Sequence, residues 1–109
     1  MRPYCEVITK LIIPAIRALV ATQLAQKYGM TQLEIAKKLG VTQPAISYYL
    51  RSKRGKLAIE RLKKDEQIMK LIEQLTDSIY HNRPQSELQR LLCEICTEIR
   101  NRRLLQVEA

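Results

Sequence analysis

The sequence predicts an all-α chain, and three observations carry that expectation. Apolar residues recur at three- and four-residue steps over most of the length, the spacing of one helical face. Leu, Ile, Gln, Lys and Arg dominate, a usage that favours helices. Strand-like alternation is missing, as is any repeat on the order of 20–50 residues. The chain has 109 residues, the size of one domain, with three Gly, four Pro and 46% apolar residues. That composition excludes collagen-like and low-complexity classes and leaves enough apolar material for a packed core.

The elements follow in order. Val7, Leu11, Ile12, Ile16, Leu19, Val20 and Leu24 define one amphipathic face. Pro14 lies inside this run and either starts a helix at its own position or kinks one. Tyr28-Gly29 closes it, since Gly commonly ends helices. Thr31 with Glu34 three residues on is a capping box, so a helix starts at about Gln32 and stops at Gly40. Thr42 caps the next helix, with Pro44 tolerated in its first turn, as far as about Ser52. Residues Lys56 to Tyr80 read as one long helix or as two broken near Lys64. His81 to Pro84 is a break. Ser86 with Gln89 reads as another capping pair before the apolar series Leu88, Leu92, Ile95 and Ile99. These last two segments form an antiparallel hairpin.

Charge divides the chain. Residues 1–64 hold thirteen basic and three acidic side chains, and residues 65–109 hold six basic and eight acidic. Seven of the basic residues fall between Arg51 and Lys64. The first part suits a polyanion and the second does not. A solvated, solubilising charge run is the plainer alternative. The longest charge-free run, Leu39 to Leu50, is twelve residues, against the roughly 18 a membrane span needs. A cytoplasmic protein without a membrane partner is expected. One His, no phosphate-binding Gly loop and no nucleophile motif argue against an enzyme.

Three cysteines do not make a disulfide scaffold. Cys93 and Cys96 are three residues apart and face nearly the same way on a helix; Cys5 is the remaining thiol. A zinc site takes four ligands, which one chain does not offer unless a dimer pools them. The preferred reading is small buried hydrophobes, with no cofactor and no metal; Cys5, Cys93 and Cys96 are the only candidate ligands.

Residues 31–51 resemble the helix-turn-helix of the phage Cro/repressor-like regulators. Ala36 is small enough for two helices to cross closely, and Gly40 can take the left-handed turn conformation. Ile35, Leu39, Val41 and Ile46 form the wedge that sets the interhelix angle. A helical hairpin with a Gly turn is the bland alternative. On a wheel, Ile46, Tyr49 and Leu50 face the core, while Pro44, Ser47, Tyr48 and Arg51 face away. Such a second helix reads base edges in the major groove. Expected base contacts are Gln43, Pro44, Ser47 and Tyr48; a Gln amide fits adenine N6/N7. Tyr48 is equally readable as a partly buried surface tyrosine. The resemblance implies a phosphate contact for Gln32. Thr42, Arg51, Lys53, Arg54 and Lys56 are further expected phosphate contacts.

Residues 1–56 are also similar to a family of archaeal transcriptional regulators. The similarity rests on Cys5-Glu6-Val7, Pro14-Ala15-Ile16-Arg17-Ala18, Tyr28-Gly29, Gly40-Val41-Thr42-Gln43, Ala45-Ile46-Ser47 and Arg54-Gly55. In that family further Cys or His positions tend to follow the Cys93–Cys96 pair, whereas residues 102–109 here contain neither.

The organisation expected is a helix-turn-helix DNA-binding domain over 1–56 and a dimerising or regulatory helical hairpin over 57–109. The dimer interface is expected at Ile68, Ile72, Leu75, Ile79, Leu88, Leu92, Ile95 and Ile99. The implied function is sequence-specific binding of double-stranded DNA by a homodimeric transcriptional regulator. Alternatives are a non-specific DNA-coating protein and an antitoxin-like module that also binds a protein partner. The sequence identifies no effector.

Overall fold

Six α-helices make up the computed structural model, which describes residues 12–51 and 56–102. They are α1 (Ile13–Tyr28), α2 (Gln32–Leu39), α3 (Gln43–Arg51), α4 (Lys56–Lys63), α5 (Glu66–Tyr80) and α6 (Gln85–Asn101). There is no strand among the described residues, as an all-α chain requires. The expectations placed on Cys5, Val7, Leu11, Lys53 and Arg54 lie outside the described residues, and so do those on the side chains of Leu50 and Lys56.

Helix α1 is the central element. Pro14 sits in its first turn, where a missing N–H costs nothing. The sequence suggests a single apolar face, but Ala15, Ile16, Ala18, Leu19, Val20 and Ala21 are all buried. The reason is that α1 packs against α2, α3, α4 and α5. A helix covered on several sides is apolar around most of its circumference. The three alanines let neighbours approach closely. Gly29 ends α1 with φ 62°, and the next N–H, that of Met30, bonds to the Leu24 carbonyl at 3.2 Å.

Residues Lys56 to Tyr80 resolve into two helices, α4 and α5, not one. Asp65 breaks it: its backbone is extended and its carboxylate accepts the Ile68 N–H at 3.0 Å, an N-cap. Arg102, just beyond α6, reaches the same carboxylate with two nitrogens, at 2.7 and 3.1 Å. The start of α5 is thereby tied to the end of α6, which closes the antiparallel pair. The Ile68 N–H, followed by Arg102, holds the Asp65 carboxyl below its ordinary range despite opposing desolvation. The hairpin turn falls at His81–Pro84 as expected, with Asn82 at φ 56°. Ser86 does not cap α6. It lies within the helix, whose N-cap is Pro84, and Arg83 pairs with Glu87 across the first turn at 3.0 Å.

One continuous core joins α1 to α6. Ile12, Ile16, Leu19, Leu24, Ile35, Ile46, Leu62, Ile68, Ile72, Ile95 and Ile99 belong to it and are essentially inaccessible. Five of the eight residues expected at a dimer interface lie in this core. Ile68, Ile72, Leu75, Ile95 and Ile99 are buried by the chain's own helices and offer no surface to a second copy. Ile79, Leu88 and Leu92 are half-buried and pack on the same core. The 4-3-4 spacing identifies an apolar face; it does not say whether the covering element comes from the same chain. Each such isoleucine contributes about 1.5–3 kcal/mol when fully buried.

The outer end of the hairpin is fastened to the helix-turn-helix side by polar and aromatic contacts. Tyr28 and Tyr80 stack with centroids 3.8 Å apart. The Tyr28 hydroxyl donates to Asp77, and Lys27 bonds to Asp77 at 2.9 Å and Glu73 at 3.3 Å. These bonds, that of Tyr28 first, keep the Asp77 carboxyl below its usual range. Lys38 of α2 donates to the Tyr80 carbonyl at 3.1 Å and to Asn82 Oδ1 at 2.6 Å.

Candidate nucleic-acid interface

The pair α2–α3 is built by short-range signals. The Thr31 hydroxyl accepts the Glu34 N–H at 3.2 Å, and Glu34 Oε1 accepts the Thr31 N–H at 3.0 Å. That reciprocal box fixes where α2 begins, and the Thr31 N–H lowers the Glu34 pKa. At the other end Gly40 adopts φ 68° and its N–H turns back toward the Ala36 and Lys37 carbonyls. An added Cβ would meet nothing within 4 Å, so the demand for Gly here is conformational, not steric. The Val41 N–H bonds to the Ala36 carbonyl at 3.0 Å and completes the turn. Thr42 then caps α3, accepting the Ala45 N–H at 3.3 Å.

Ile35, Ala36 and Ile46 are buried, with Leu39, Val41 and Tyr49 packed against them. This is the wedge anticipated from the sequence. It leaves the opposite face of α3 to solvent. Gln43 and Pro44 are exposed, and Tyr48 is 57% exposed. Ser47 is half-buried, so it is less open than the wheel suggests. Gln32, Thr42 and Arg51 are exposed, and Arg51 Nε bonds to the Ser47 carbonyl at 3.3 Å. Arg17 of α1 reaches the Tyr49 hydroxyl at 3.3 Å, so the core side of α3 is also tied to α1.

Two features escape the sequence reading. Leu33, beside Gln32 at the start of α2, is 51% exposed. Its position off the Ile35–Leu39 face is the signal that could have found it. Arg61, Lys63 and Lys64 are also exposed and enter no ion pair among the described residues. They belong to the same basic run as the expected phosphate contacts. Exposed cations on α2 to α4 have no ion-pair partner among the described residues, and the exposed side of α3 carries amide, hydroxyl and aromatic groups. This surface has the parts for phosphate attraction and for base-edge hydrogen bonding.

The buried reading holds in part for Cys96, which packs on the core, and not for Cys93; Cys5 lies outside the described residues. Cys93 is exposed and Cys96 half-buried on α6. The Gln89 amide donates to Cys93 Sγ at 3.4 Å, and burial pushes the Cys96 thiol pKa up. Among the described residues no group of three or more His, Cys, Asp or Glu could hold a metal ion. No described helix is long and apolar enough to cross a membrane.

Residues 23–64 match a family model described as helix-turn-helix. The matched span takes in the last six residues of α1 and all of α2, α3 and α4. Comparison with curated proteins and with solved structures gives no match. The family match supports a Cro/repressor-like DNA-binding regulator in general terms.

Proposed function

We propose that the chain is a sequence-specific transcriptional regulator that binds double-stranded DNA as a homodimer. Helix α3 enters the major groove, with Gln43, Pro44, Ser47 and Tyr48 toward base edges. Gln32, Thr42, Arg51, Lys53, Arg54 and Lys56 lie along the flanking phosphates. The observation that carries this reading is the exposure of Gln43, Pro44 and Tyr48 on a helix whose other face is locked into the core through Ile46. A recognition helix needs that combination: a rigid seat and a polar, open outer face. The family match over residues 23–64 agrees with it.

Gln43 is the most informative residue, because a Gln amide can meet adenine N6 and N7 with two hydrogen bonds. Gln43→Ala is expected to cost about 1–3 kcal/mol on a selected site and little on random DNA. Fluorescence anisotropy titrations on both DNAs check this at one salt concentration. Equal losses on the two would mean that Gln43 reads no base, and would favour a DNA-coating protein.

A further inference from the structure

Helix α1 carries one exposed side chain inside its buried stretch. Ala15, Ile16, Ala18, Leu19, Val20 and Ala21 are all buried, and Arg17 extends from among them into solvent. The core therefore fixes the point from which this guanidinium reaches out. Its Nη1 meets the Tyr49 hydroxyl at 3.3 Å, and no carboxylate among the described residues lies within ion-pair distance of it. A neutral hydroxyl leaves the charge uncompensated and uses one of five N–H donors.

The place of that charge around α3 is specific. At about 100° per residue, Tyr48 lies about 40° to one side of Pro44 and Ser47 about 60° to the other. Tyr49 is further round on the Tyr48 side, and the two rings meet edge-on with centroids 6.4 Å apart. Arg17, bonded to Tyr49, approaches α3 along the flank that Tyr48 borders. Arg51 leans to the opposite flank, where its Nε bonds to the Ser47 carbonyl. The outward face of α3 is bracketed by two cations, one from its own last turn and one from α1.

We infer that Arg17 is a contact to the phosphate backbone of double-stranded DNA, supplied by α1 on the Tyr48 flank of α3. The inference rests on the reading of α3 as a major-groove helix. That groove is about 12 Å wide and walled by a phosphate strand on each side. Arg51 serves one wall, and the α3 residues on the Tyr48 flank bring no cation to the other. Arg17 supplies it from a neighbouring helix. A guanidinium fork fits two phosphate oxygens, and Tyr49 braces it without neutralising it.

Full-length wild type, Arg17→Gln, Arg17→Lys and Tyr49→Phe are titrated against a labelled random-sequence duplex by fluorescence anisotropy over a series of salt concentrations. A phosphate contact needs no particular sequence, so a random duplex serves. Arg17→Gln is expected to lower the slope of log affinity against log salt by about 1. The side chain is exposed, so circular dichroism stays helical. Arg17→Lys, which keeps the charge, and Tyr49→Phe, which removes only the brace, keep the wild-type slope. An equal fall in Tyr49→Phe overturns the proposal, because Arg17 then acts only by positioning α3. A wild type that binds no duplex even at low salt overturns the DNA reading and this inference together. A wild type that binds with a slope unchanged in Arg17→Gln overturns this inference alone.

Discussion

Arg83, Arg90 and Arg102 all find a carboxylate within 4 Å, at Glu87, Glu94 and Asp65 respectively. Lys37, Arg51, Arg61, Lys63 and Lys64 find none among the described residues. The first group lies on the α5–α6 hairpin and the second on the α2–α4 half. Both halves are amphipathic helices on the same core, so burial does not separate them. What separates them is how they dispose of charge. The hairpin meets Arg83, Arg90 and Arg102 with its own carboxylates, although Lys70 and Arg100 find none there and Glu73 and Asp77 are met by Lys27 of α1; the five exposed cations of the α2–α4 half have no such partner among the described residues and suit a polyanion. Exposed ion pairs contribute at most about 1 kcal/mol each, so the hairpin's pairs are not its main source of stability. Its isoleucines are.

That contrast can be broken first at the core. Ile95→Ala should destabilise the fold by about 2–5 kcal/mol, the cost of lost burial plus a cavity. Urea unfolding at several protein concentrations checks it. An intramolecular core predicts the same loss at every concentration; a loss that fades as concentration rises would restore Ile95 to a subunit interface. A smaller effect is expected at the clasp between the hairpin ends. Asp65→Ala removes an N-cap and the partner of Arg102 and should cost about 1 kcal/mol near neutral pH. The folded-state pKa of Asp65 is depressed, so its contribution is present above the unfolded value near ~3.9 and fades as pH falls through the folded one. The stability gap between wild type and Asp65→Ala should therefore close on acidification; a gap that persists unchanged in acid would mean the carboxylate charge is not involved. The smallest change is on the other half. Arg51→Gln should leave stability unchanged and reduce the slope of log affinity against log salt by about 1. An unaltered slope would remove Arg51 from the phosphate contacts.

The helix-turn-helix was legible because its signals are local. The Thr31–Glu34 box, Gly40 and the Thr42 cap each act within a few residues, and the structure places all three where the spacing does. The break at Asp65 was only half visible, since a cap is recognisable in sequence but its Arg102 partner comes from the far end of the hairpin. The fate of Ile68, Ile72, Leu75, Ile95 and Ile99 was not legible at all. Periodicity shows that a face must be covered, and only the fold shows that α1 and the two hairpin helices cover it. The same limit explains α1, whose nearly continuous burial exceeds the single stripe its spacing suggests. Ser86 misled because the helix starts earlier, at Gln85 after Pro84, which leaves Ser86 inside the first turn.

The central claim is that the uncompensated half reads DNA sequence as a dimer, and selection from a random DNA pool at physiological salt tests it most directly. A dimeric reader enriches a short inverted repeat, with half-sites about one helical turn (~34 Å) apart. A pool that stays random through successive rounds, with binding that simply falls steeply as salt rises, would contradict it and leave the cations as a non-specific coat for DNA.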